Sequence, residues 1–144
     1  MKIKDSYDAV HGVSTCTIIY KGREFIGRAY IHPDDEDMQS ERTGSIIAQA
    51  RATIKLNKYI LNSELRPGLT ALNHVYEGIK RNKNFNEKSY ENKRLRAEIQ
   101  NYKNEIAVVS NRIAGEELHL KDYIDLKDKF YKEIRKKRKL DKKD

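Results

Sequence analysis

The chain has 144 residues, 38% hydrophobic and 36% charged, with a formal net charge of +8, no Trp and two Pro. No stretch approaches the roughly 20 apolar residues of a membrane span, and the single Cys16 excludes an internal disulfide and fits a reducing cytoplasm. One domain, or a small domain with a helical extension, is the expectation for this length, and the lean apolar share fits exposed helices whose core other copies complete.

Met1-Lys2-Ile3-Lys4 leads into a polar segment without an apolar core, so no signal peptide is expected, and residues 1–12 read as loose. Val13 to Tyr20 is rich in β-branched residues, Lys21-Gly22 supplies a turn, and Glu24 to Ile31 is a second extended run. Together they predict an antiparallel β-hairpin. Glu24, Ile26, Arg28 and Tyr30 share one face of the second strand, with Phe25, Gly27, Ala29 and Ile31 on the other. The small Gly27 and Ala29 predict close approach of a helix or a ligand, with packing the plainer cause.

His32-Pro33-Asp34-Asp35-Glu36-Asp37 is an acidic loop ahead of a helix, where the helix dipole favours negative charge. Its carboxylates are consecutive, without the alternate spacing and turning Gly of a hard-cation loop, so no metal is expected there. The helix is predicted over about 41–61, with Ile47, Ala50, Ile54 and Leu61 buried and Ala48 and Ala52 allowing tight contact with the hairpin. Arg42, Arg51 and Lys55 lie off that stripe. Leu65-Arg66-Pro67-Gly68 is expected to break the helix, Pro67 opening another that carries Leu69, Leu72, Tyr76 and Ile79 up to about Arg81.

After the polar stretch Asn82-Lys83-Asn84-Phe85-Asn86 comes a long helical region from about Glu87. Leu95, Ile99, Tyr102, Ile106, Val109 and Ile113 alternate in steps of four and three, a narrow seam that reads as a partner-helix surface. Gly115 is expected to bend or end this helix, with Glu116-Glu117 starting another whose apolar side is Leu120, Tyr123, Leu126, Phe130 and Ile134. The expected organisation is α+β: residues 1–81 form a β-hairpin or small sheet packed on a helix, followed by a second helix. Residues 82–86 form a linker, 87–135 long oligomerising helices with a coiled-coil-like seam, and 136–144 a basic tail.

From Lys127 to Asp144, ten Lys or Arg face four Asp or Glu, an excess of six that holds most of the net charge. Arg135, Lys136, Lys137, Arg138 and Lys139 are therefore the candidate nucleic-acid contacts, against a solubilising tail as the plainer reading.

No catalytic constellation is legible in the sequence. His11, His32, His74 and His119 are scattered, and there is no Gly-rich phosphate loop, zinc-spaced Cys pair or nucleophile motif. A non-enzymatic binder with no catalytic residue, metal or cofactor is the expectation. Its candidate ligand residues stand at the joints between elements: Arg28 and Tyr30 on the strand, Phe85 in the linker, Asn92 and Arg94 opening the long helix, and Asn111 and Arg112 at the end of its apolar run. Arg matches phosphate oxygens with a planar fork. An aromatic ring stacks on a base, and Asn reads a base edge or a ribose hydroxyl.

Gly27-Arg28-Ala29-Tyr30-Ile31-His32-Pro33-Asp34-Asp35, then Gly44 and Ile47-Ala48-Gln49-Ala50-Arg51-Ala52, resembles a pattern of small phage-encoded proteins. With the long C-terminal helices rich in Lys and Asn, the chain is similar to the first-described family of Thoeris anti-defence proteins, the cyclic-ADP-ribose sponges. The resemblance implies a homo-oligomer in the host cytoplasm that sequesters a signalling nucleotide, of the glycocyclic ADP-ribose type, without cleaving it. Some family members also hold cyclic oligonucleotides at a second site. In this chain Phe85 and Arg112 suit the base-stacking and phosphate-binding roles; the basic tail is outside what the resemblance accounts for. Two other classes stay open at this point: a basic nucleic-acid-binding phage protein, and a protein-only inhibitor acting through its seam helix.

Overall fold

A computed structural model of the chain describes residues 1–30 and 40–143. The layout is α+β, with strands β1 (Lys2–Asp8), β2 (Val13–Tyr20) and β3 (Arg23–Tyr30) followed by helices α1 (Ser40–Tyr59), α2 (Arg66–Lys80) and α3 (Tyr90–Lys143), and a π-helical turn at Ile60–Leu65 between the first two helices. Two compact units result, one of Met1–Leu56 with Gly115–Asp144 and the other of Asn57–Ala114. Ile31 and the acidic loop His32–Asp37 lie outside the described residues.

In the first unit the sheet is antiparallel in the order β1-β2-β3. The residues expected to be loose form a third strand instead. Asp5 faces Cys16 and Ile3 faces Ile18 across the β1–β2 ladder. Lys2 to Tyr7 was hard to read because its strand exists through backbone pairing, with little apolar burial of its own. The β2–β3 connection is the expected two-residue turn: Lys21 and Gly22 have φ of 49° and 75°, the positive values that a type I′ hairpin turn needs. At the other turn, Asp8 accepts hydrogen bonds from the backbone N–H groups of Val10 and His11. Its other carboxylate oxygen lies 2.7 Å from His11 Nδ1.

One face of the sheet packs on α1. Ser14, Cys16, Ile18 and Ala29 are buried there against Ile47, Ala48, Ala52 and Ile54. Gly27 is the point of closest approach, because a β-carbon on it would collide with Ala48 O and Ala52 N. The close contact expected of Gly27 and Ala29 is thus with a helix. Ala50, expected to be buried, is half-buried. Arg51 and Lys55 have a definite task. Arg51 Nη1 donates to Arg28 O (2.7 Å) and Lys55 Nζ to Ile26 O (2.6 Å), covering carbonyls of edge strand β3.

The expected break at Leu65–Gly68 is absent. The chain keeps helical backbone angles from Tyr59 to Arg66, and Arg66 N–H donates five residues back to Leu61 O. A wider π turn loosens the ladder where the Pro67 ring would otherwise crowd the preceding turn. In the second unit α2 returns along the first part of α3. Gly68 meets Tyr102, and Arg96 Nη1 lies 3.5 Å from Tyr76 Oη, which sets an antiparallel register. That register sets Leu72 level with Ile99, which is buried. The seam from Leu95 to Ile113 is therefore covered at least in part by this chain's own helix, since a neighbouring element supplies the apolar stripe that spacing alone assigned to a partner.

Gly115 neither ends nor resets the last helix: α3 is continuous over 54 residues. The phase of its first half simply carries on. Ile99, Ile106 and Ile113 are followed at the same seven-residue interval by Leu120, Lys127 and Ile134, all buried or half-buried. Tyr131 is buried in consequence, while Leu126 and Phe130, expected inside, are 67% and 58% exposed. Beyond residue 135 the basic tail is helix.

Candidate functional site

The seven ligand residues expected from the sequence fall into three places. Phe85, Asn92 and Arg94 line one cavity of about 730 Å³ in the second unit, at the turn from α2 into α3. Arg28 and Tyr30 are exposed together on the outer face of β3, Tyr30 at 71%. Asn111 and Arg112 are exposed on α3 and outside that cavity wall.

The cavity is built by the loop 81–89. Asparagines fold it: Asn82 Oδ1 accepts from the N–H of Asn84, and Asn86 Oδ1 from the N–H of Lys88. Ser89 caps α3, its Oγ accepting from the N–H of Asn92 (3.2 Å). The Asn92 side chain turns back to donate to Asn86 O (2.7 Å), tying the loop to the first turn of the helix. Arg96 closes the base of the hairpin, with Nη2 donating to Glu87 O (2.9 Å) and Nη1 lying 3.2 Å from Glu87 Oε1.

Phe85 stands half-buried with its ring edge-on to Tyr76, centroids 6.2 Å apart at 73°. It thus serves the α2–α3 contact and the cavity wall at once. Tyr90, 77% exposed, adds a second ring. Arg94 is the cation of the wall, with Nε 3.6 Å from Glu98 Oε1. Glu91 and Glu98 are both part of that wall, so it is amide- and ring-rich without being cationic. Positive charge lies beside it: over residues 80–94, Lys80, Arg81, Lys83, Lys88, Lys93 and Arg94 outnumber Glu87 and Glu91.

Sequence reasoning named Phe85, Asn92 and Arg94 and missed Asn82, Asn84, Asn86, Ser89 and Tyr90 as parts of the same wall. The Asn-rich stretch was the available signal. It reads as a linker until the capping by Ser89 and the back-bond from Asn92 curl it round a concavity. Among the described residues no group of His, Cys, Asp or Glu is arranged to hold a metal ion. No described helix is long and apolar enough to cross a membrane. Cys16, the single thiol, is 1% exposed in the sheet, where burial first and the neighbouring Asp5 second push its pKa up to about 11. It is a protonated, inert group at neutral pH.

Arg135 to Lys139, expected as a contiguous basic cluster, are consecutive residues of α3 and so spread round the helix. No family model, curated protein or solved structure matches the chain.

Proposed function

We propose that the protein is a non-enzymatic binder that takes up a small anionic nucleotide and withholds it from its receptor. The observation that carries this reading is the convergence of Phe85, Asn92 and Arg94 on one cavity. Ring faces at Phe85 and Tyr90 suit a base. Four asparagines offer paired donors and acceptors to base edges and ribose hydroxyls, and the lysines and arginines beside the wall suit phosphate. The resemblance to the Thoeris anti-defence sponges points to the same chemistry and to a phage protein acting in the host cytoplasm on a glycocyclic ADP-ribose type of signal.

The proposed working form is a homo-oligomer. Val108 is 55% exposed one helical turn before the exposed Arg112, so a copy docked over Val108 would carry Arg112 and Asn111 out of bulk water. A cavity completed in that way would gain a second cation beside Arg94, whose charge Glu98 offsets. Arg28 and Tyr30 form a separate cation-and-ring pair, suited to a second anionic ligand.

Calorimetric titration with glycocyclic ADP-ribose and its cyclic isomers tests the reading. Saturable heat is expected, with the nucleotide recovered intact by mass spectrometry after heat denaturation. No heat from a folded protein, or recovery of a hydrolysed product, overturns it.

A further inference from the structure

The helical tail sorts its charges in a way that the linear sequence conceals. Lys129, Lys132, Lys136 and Lys139 succeed one another by three, four and three residues, so they form one row along α3. All four are exposed. Glu133 borders the row, four residues after Lys129 and three before Lys136, whereas Asp128 is ion-paired to Lys127 (2.9 Å) and Asp141 lies on the opposite side of the helix.

The other side of this segment is occupied. Tyr131 is 5% exposed, with its hydroxyl 3.3 Å from Thr43 Oγ1 on α1, and Ile134 is half-buried. The Phe130 ring leans on Tyr131, with centroids 5.5 Å apart. A helix that lies in a lipid surface needs its apolar side free to insert. Here Tyr131 and Ile134 are spent on the protein. The exposed Leu126 and Phe130 run on along the helix into Glu133 and Lys137, so no continuous apolar strip is free while the row of ammonium groups is turned outward.

We propose that this lysine row docks on the phosphate backbone of double-stranded nucleic acid, without reading sequence. The dimensions agree. The ten-residue interval from Lys129 to Lys139 rises about 15 Å along the helix, and a duplex presents a phosphate about every 3.4 Å of axis on each strand. Four ammonium groups on a stiff rod therefore meet a line of about four phosphates. Lysine supplies point charges without the base-reading fork of arginine, so contact is electrostatic and salt-sensitive.

The experiment is fluorescence anisotropy of the full chain with a labelled 25-base-pair DNA duplex across a salt series. Competitors are the corresponding single strand and vesicles of phosphatidylcholine and phosphatidylserine. The expected slope of log K against log salt is about −4, near 0.9 per phosphate contacted. Changing Lys129, Lys132, Lys136 and Lys139 together to Gln is expected to weaken duplex binding at least tenfold and flatten the slope. Changing the same four to Arg is expected to retain binding. A charge-matched control, with Lys103, Lys137, Arg138 and Lys142 changed to Gln, is expected to bind within about threefold of the parent. Far-UV circular dichroism verifies the helix in each variant. Equal loss in the control, which would reduce the effect to net charge, overturns the proposal. So does tighter binding to the single strand or to the vesicles than to the duplex. Nucleotide uptake at the cavity of the second unit is read separately by calorimetry, so either finding can fail alone.

Discussion

A β-carbon placed on Gly68 would stand 2.5 Å from Cε1 of Tyr102, so α2 and α3 meet backbone against ring at that point. Gly68→Ala is expected to destabilise the protein by about 1–3 kcal/mol, the usual range for overpacking. Gly78, in the same helix, has open space where its β-carbon would be. Gly78→Ala is expected to stabilise by about 0.5–1 kcal/mol through helix propensity. Urea unfolding of both variants checks the pair, and a shift in the same direction for both would contradict the packing described.

Gly115 is likewise unencumbered, with no atom within contact range of an added β-carbon. It interrupts neither the helix nor its seven-residue phase. Gly115→Ala is therefore expected to raise stability by about 1 kcal/mol. A loss of stability would mean that the helix needs a bend there.

Ser14 Oγ is buried and has no hydrogen-bond partner among the described residues. Removing it with Ser14→Ala is expected to be neutral or to stabilise by about 1–2 kcal/mol, because an unsatisfied buried hydroxyl bears its desolvation cost alone. Thermal denaturation decides the sign.

The cover of β3 by Arg51 and Lys55 leads to an association test. Both side chains are exposed, so each change to Ala is expected to cost about 1 kcal/mol or less. The larger effect is on the sheet edge, since the carbonyls of Ile26 and Arg28 lose their donors. Light scattering of the double variant is expected to show concentration-dependent association beyond that of the parent.

Alkaline pH tests the environment of Cys16. Its folded pKa of about 11 lies above the ordinary value of 9.0. A raised pKa favours the protonated thiol in the folded state. Its contribution to stability is thus full below pH 9 and is lost as pH climbs toward 11. Cys16→Ala is expected to remove that part of the slope in unfolding experiments between these limits. At pH 8, alkylation of the native protein is expected to run roughly 100-fold slower than that of a free thiol, which unfolding in urea abolishes.

The elements whose formation is local were the legible ones. Lys21-Gly22 announces its turn, Gly27 and Ala29 announce a close neighbour, and the spacing from Leu95 to Ile113 announces a helix seam. What covers each surface was not legible. The seam read as a partner's because nothing in its spacing reveals that α2 comes back along it. Pro67 and Gly115 read as stops because propensity is a local cost, which neighbouring turns of continuous helix outweigh. Three of the cavity residues were found by chemistry alone, and the asparagines around them were missed because their role depends on how the loop closes.

The seclusion of the lone thiol has a practical consequence for spectroscopy. A cysteine introduced at Lys83, beside the cavity wall, would accept a fluorophore or spin label while Cys16 stays silent, with no need to delete the native residue from the sheet. One dye at one position would then report occupancy of the Asn-lined hollow as it fills.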